Sequence, residues 1–182
     1  MSDLIYSPWS VRPNDSEYNR FYAGYVDCVP DGDLIPFMAA QLHRTQDVLG
    51  GLDVSQGDHS YESGKWTVRE LMGHVLDTEW VFGSRLLRIA RGDKAALPGM
   101  DQNDFMANSF VADRSMTSLI AEFSGLRAAT MTLMDSLRAE VLDWKGNASG
   151  FDITVRAQGW VLAGHCEHHM TILKDRYGIS DS

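Results

Sequence analysis

Residues 115–143 read SMTSLIAEFSGLRAATMTLMDSLRAEVLD. Met116, Leu119, Ile120, Phe123, Leu126, Leu133, Met134, Leu137 and Val141 recur at the 3.6-residue period, so their side chains share one face of a helix. The stretch predicts a long amphipathic helix over 115–143 that needs partners for its apolar face. Working back, residues 92–113 carry Pro98-Gly99 and several Asp and Asn with little periodicity. At about 20 residues, such a connection exceeds the usual structureless loop, a length often tied to function. Before it, Thr67 and Glu70 form a T-x-x-E capping box that opens a helix over 67–91, with Leu71, Val75, Phe82, Leu86 and Ile89 inward. Gly92 stands at its C-cap. A further helix fits 33–51, with Leu34, Ile35, Met38, Leu42 and Leu49 on one side and Gly50-Gly51 at its end. Beyond the opening stretch, residues 146–150 read as a turn, and a last helix runs over 154–177 to the stop residue Gly178.

No strand pattern of comparable strength appears. Four amphipathic helices predict an all-α fold, a four-helix bundle over residues 33–178. Residues 1–32 form an N-terminal arm rich in aromatics (Tyr6, Trp9, Tyr18, Phe21, Tyr22, Tyr25), with a short helix near 15–28 packing on the body. Two of the connections are long enough for a crossover, so loop length leaves the bundle topology open.

Composition narrows the function. The chain has 182 residues, 44% hydrophobic and 23% charged, within the ordinary globular range. A net charge of -9, from 16 basic and 25 acidic residues, argues against nucleic acid as partner, because phosphate binding relies on clustered Lys and Arg. No signal-peptide pattern and no apolar run of about 18–20 residues is seen, so a cytoplasmic protein without a membrane partner is expected. Two cysteines, Cys28 and Cys166, argue against a disulfide scaffold.

Six histidines are distributed unevenly, with three in Gly164-His165-Cys166-Glu167-His168-His169. Residues four apart on a helix lie one turn apart and about 40° around the axis. His165 and His169 therefore point at one place, on a stripe with Val161, Leu162, Ile172 and Leu173 that faces the interior. His74, beside Leu71 and Val75, is the best third ligand from another helix; the plainer reading is a hydrogen-bonded core histidine. Three neutral imidazoles would leave open positions on a divalent ion, as in reactive rather than closed structural sites. His168 competes as a ligand through i,i+3 pairing but projects about 100° from His169, towards the helix flank. His43 and His59 read as surface residues.

Several segments together resemble the DinB/YfiT-like superfamily. Gly64 through His74, then Asp77-Thr78-Glu79, Arg85-Leu86 and Arg88 to Gly92-Asp93, are similar to its second-helix signature. Gly164-His165 through His168-His169, ending in Leu173 and Arg176-Tyr177, resembles its last-helix motif. Val29 to Asp33 and Pro98 to Phe105 also look familial, so the resemblance runs from about Tyr18 to Gly178. It implies a four-helix bundle, often dimeric, with a divalent metal held here by His74, His165 and His169. Cys166 departs from the pattern, standing where similar sequences often carry Glu, and Trp80 replaces a polar or basic residue. Cys166 reads as a buried inert thiol in preference to a redox or ligating one.

The family includes members that use low-molecular-weight thiols in transferase or isomerase reactions. A metal-dependent enzyme acting on a small molecule, of thiol S-transferase or hydrolase type, is therefore expected, as a homodimer. The alternative is a non-catalytic, stress-related metal or small-molecule binding protein. Zinc, nickel and iron all suit imidazole ligands. Arg85, eleven residues past His74, returns to nearly the same face; it either orients an anionic substrate or pairs with a carboxylate of the bundle. Asp77 and Glu79 either orient the ligands or face solvent, and Asp101, Asn103, Asp104 and Asn108 are candidates for a pocket mouth. No Ser-His-Asp set or Gly-rich phosphate loop competes with the histidines.

Overall fold

Short polar side chains start the long helices, and the computed structural model, which describes residues 7–180, shows each of them in place. Asp33 accepts from the Ile35 amide at the start of α2 (Leu34–Gly50), after the short α1 (Ala23–Asp27). A single turn, α3 (Val54–Gly57), follows. Thr67 and Glu70 exchange both capping-box bonds at the head of α4 (Val68–Ala90). The short α5 (Gln102–Asn108) precedes α6 (Met116–Asp135), which Ser115 caps, and Thr154 caps α7 (Val155–Tyr177). Gly178 ends α7 in the left-handed conformation, φ 68°. Of the aromatic arm, Tyr6 lies outside the described residues; Trp9 is buried, its indole N–H donating to the Met134 carbonyl at 3.0 Å.

Helices α2, α4, α6 and α7 form the bundle. α4 packs on α6 and α7, and α2 packs on the same two, so the successive helices α2 and α4 stand diagonally across the core. One buried polar chain ties all four together. The Arg127 guanidinium on α6 pairs with Glu79 on α4 and donates to Gln41 Oε1 on α2 at 2.7 Å. Gln41 in turn donates to the Ala163 carbonyl and to Glu167 on α7.

Four local expectations need correction. The third long helix ends at Asp135, eight residues early: the Ser136 hydroxyl bonds back to the Leu133 carbonyl at 2.6 Å, and Arg138 is extended. Leu137 and Leu142 remain buried beyond the break, so the apolar period continues although the helix does not. The expected turn at 146–150 is a hairpin, β2 (Lys145–Ala148) against β3 (Phe151–Thr154). Only Ser149 and Gly150 turn, both at positive φ, as a two-residue hairpin loop requires. β1 (Ala96–Leu97) adds to β2 in parallel, giving a small mixed sheet that had no counterpart in the periodicity. Strands this short and Gly/Asn-rich carry no readable alternation. The sheet seals one end of the bundle, with Leu97, Ala148 and Ile153 packed in the same apolar cluster as Ile89. The helix expected near 15–28 shrinks to a 3-10 turn at Arg20–Tyr22 and α1, because Asn14, Glu17 and Asn19 side chains hold the preceding backbone in turns. Finally, residues 92–113 are not structureless, since they contain β1, α5 and a 3-10 turn at Val111–Asp113.

Gly164 brings α1 against α7. A Cβ there would lie 1.9 Å from the Tyr25 carbonyl oxygen, so only glycine allows this backbone contact. The contact seats the Tyr25 ring 5.2 Å from the His165 ring.

Candidate metal centre

His74 lies two turns into α4, on the face turned towards α7. His165 and His169 lie one turn apart on α7, and all three are buried. Their Nε2 atoms converge: His74 to His165 is 3.0 Å and His169 to His165 is 3.1 Å. One potential ligand atom from each residue falls within 4.8 Å of the others. Two imidazole nitrogens each about 2.0–2.1 Å from one ion stand roughly 3 Å apart, so the spacing matches a shared cation.

Burial sets the protonation. It pulls His74 down to about 4 and His169 to about 3, and holds His165 well below the ordinary imidazole range, with the neighbouring histidines adding to each effect. The cluster is thus neutral at physiological pH, the form that ligates metal. Three neutral rings aimed at one point have few other ways to satisfy one another. A proton bridges only two nitrogens, whereas a cation accepts all three lone pairs. The residues fit a divalent ion on this ground. His169 Nδ1 has no hydrogen-bond partner among the described residues.

His168 stays apart. It is half-buried at the flank of α7, with its ring 5.4 Å from that of Tyr25, and is not one of the converging set. His43 and His59 are exposed. Cys166 is fully buried, and burial pushes its thiol up to about 12, so it is neutral and shielded.

A cleft of about 400 Å³ opens beside His74 and His165. Phe21, Tyr22, Tyr25, Phe82 and Phe151 give it aromatic walls, and Thr78, Arg85, Gly99, Met100 and Gln102 complete much of the lining. Arg85 does not pair with a carboxylate: none among the described residues of the bundle is hydrogen-bonded to it. Its Nη2 donates instead to the Pro98 carbonyl at 2.6 Å and to Ser149 Oγ at 2.9 Å. Glu79 neither orients a histidine nor meets solvent; it is the buried partner of Arg127. Asp77 is half-buried and makes no hydrogen bond to the cluster. Among the loop candidates, Asp101 caps α5 through the amides of Asn103 and Asp104, and all four residues are exposed outside the cleft lining. Their neighbours Gly99, Met100 and Gln102 line it instead.

Arg127 and Thr78 are not among the residues that the sequence marks as candidates for the site. Arg127 falls on the stripe of Leu119, Phe123, Thr130 and Met134, and a lone cation on an apolar stripe was the available signal. Thr78 sits one turn past His74, facing the same cleft.

No helix among the described residues is long and apolar enough to cross a membrane. No curated protein matches the chain significantly. Among solved structures, the chain is similar to YfiT from Bacillus subtilis, described as a probable metal-dependent hydrolase with an unusual four-helix bundle topology. The two share 20% identity with a TM-score of 0.66, covering 93% of this chain and 95% of that one. That likeness concerns the fold. The sequence model of the DinB superfamily matches residues 38–173, which include α4, α6 and all three histidines of the cluster. A match over most of the chain makes this protein a member of the DinB superfamily.

Proposed function

We propose that the chain is a metal-dependent enzyme acting on a small molecule held in the cleft beside His74 and His165, of hydrolase or thiol S-transferase type. The observation that carries this reading is the convergence of three buried imidazoles, two of which, His74 and His165, line an open, largely apolar cleft. His74, His165 and His169 are the proposed ligands. A bound divalent ion would supply Lewis acidity towards a substrate oxygen and towards a water or thiol nucleophile. The chain's own groups do the rest. The aromatic walls offer a surface to an apolar body, and the packed α4–α7 pair fixes the ligand rings. No Asp or Glu among the described residues lines the cleft, so they offer no carboxylate base there.

An open cleft favours an enzyme over a closed binding protein, because substrate can reach the cluster. The likeness to YfiT, a probable metal-dependent hydrolase, adds support for the hydrolase arm. Zinc-, nickel- and iron-loaded protein should be assayed against ester, amide and thiol-transfer substrates. Turnover that needs the metal and disappears in His169→Ala supports the reading. Tight ligand binding with no turnover on any of these would favour the binding-protein alternative. The family resemblance also leads us to propose a homodimer; a monomer mass by sedimentation velocity at micromolar concentration would contradict it.

A further inference from the structure

The wall of the cleft carries a cation with no anion. Arg85 is 3% exposed, yet no Asp or Glu among the described residues is within ion-pair reach of it. Of its five N–H donors, the two on Nη2 are used by Pro98 and Ser149. Nε is buried without a partner, and Nη1 has no protein acceptor among the described residues. Thr78, 2% exposed, also lines the cleft and leaves its hydroxyl unpartnered. Burying a guanidinium and a hydroxyl without full satisfaction is costly, and a native fold keeps such an arrangement where something else completes it.

The surroundings narrow what that is. Arg85 is held by the hairpin turn, since Ser149 is the positive-φ residue whose hydroxyl it meets. Its guanidinium carbon lies 5.3 Å from the Phe82 ring centroid, and the Phe82 ring lies 5.8 Å from that of His165. One phenyl ring therefore links the cation to the imidazole cluster. Among the described residues, Arg85 is the only Lys or Arg in the lining, which matches a single negative charge rather than a phosphate dianion seeking several donors. The remaining walls are mostly aromatic.

We propose that Arg85, assisted by Thr78, is the specificity site for a substrate carboxylate. The enzyme's substrate class is then a small carboxylic acid with an apolar or aromatic body, its reacting group turned towards His74 and His165. The proposal rests on the reading of this cleft as the substrate site. Pro98 and Ser149 fix the guanidinium plane through Nη2, which leaves Nη1 as a donor held in a set direction for one carboxylate oxygen, and a flexible Lys ammonium would not reproduce that direction.

The test uses the full chain, metal-free and zinc-reconstituted, titrated calorimetrically with phenylacetate, phenylacetamide and inorganic phosphate. Metal-free wild type should bind phenylacetate about tenfold tighter than the amide, a difference of about 1.4 kcal/mol. Arg85→Met should bring the two within about twofold. Should Arg85→Met fail to fold, Arg85→Lys serves: it should weaken phenylacetate at least about threefold and leave the amide unchanged. Equal binding of acid and amide by wild type would overturn the proposal. So would a preference that appears only with zinc, because the ion itself would then be the anion site. Tighter binding of phosphate than of phenylacetate would also overturn it. Zinc stoichiometry, measured on the same samples, separates this result from the metal reading: protein that binds no zinc but still prefers the acid keeps Arg85 and loses the metal.

Discussion

Gly164→Ala should destabilise the protein, although alanine is the better helix former. The residue lies inside α7, where exchanging Gly for Ala normally gains about 1 kcal/mol. Here the added Cβ would stand 1.9 Å from the Tyr25 carbonyl oxygen and 2.5 Å from its carbon. Backbone cannot rotate aside as a side chain can, so α1 must retreat by about 1 Å or more to restore van der Waals distance. Overpacking of this kind costs about 1–3 kcal/mol, and a backbone obstacle places it at the upper end. The net loss is then about 2 kcal/mol, or roughly 4–8 °C in Tm for a chain of this size. Gly125→Ala is the matched control: it is exposed on α6 with nothing within 4 Å of its added Cβ, so stability should rise by up to about 1 kcal/mol. Urea denaturation followed by circular dichroism measures both. A Gly164→Ala protein as stable as wild type would refute the close approach of α1, and with it the seating of Tyr25 against His165.

The Arg127–Glu79 pair has no access to water, so Arg127→Met alone should cost about 3–5 kcal/mol by stranding the carboxylate. Adding Glu79→Met should recover much of that loss; denaturation curves showing no recovery would contradict a buried pair. Burial pushes Cys166 up to about 12 and less severely raises half-exposed Cys28. Iodoacetamide at pH 8 should therefore modify Cys28 in native protein and Cys166 only after unfolding, and mass spectrometry showing rapid native labelling of Cys166 would count against its burial.

The helices that build the site were legible because their ends carry chemistry as well as pattern. Thr67 supplies the cap that the sequence announces, Asp33 and Thr154 cap their helices in the structure, and α2, α4 and α7 begin within a residue of the expected positions. Helical spacing pointed to the His165–His169 pair and the place of His74 beside Leu71 and Val75 made it the candidate third ligand, while the family resemblance implied the same three. Other features depend on tertiary contacts that no local pattern encodes. Leu137 and Val141 kept the period of α6 alive past its real end, because a 3-10 turn also places residues inward at short intervals. The hairpin at 145–154 is too short to alternate, yet it positions Ser149 against Arg85. Whether Arg85 meets a carboxylate of the bundle depends on how α4 rotates against that hairpin. Glu79 reads as a ligand-orienting or solvated carboxylate until α4 and α6 are brought face to face, where it meets Arg127.

If the three converging imidazoles hold one divalent ion, metal stoichiometry should follow them across histidine variants. Purified wild type, stripped and then equilibrated with zinc, should retain one equivalent by plasma mass spectrometry after gel filtration. His74→Ala, His165→Ala and His169→Ala should each lose most of it, because two remaining imidazoles chelate far less well. His168→Ala should retain it, since His168 stands outside the converging set. Equal metal loss in His168→Ala, or a wild-type protein that takes up no metal, would show that His74, His165 and His169 are not the ligands of a shared ion.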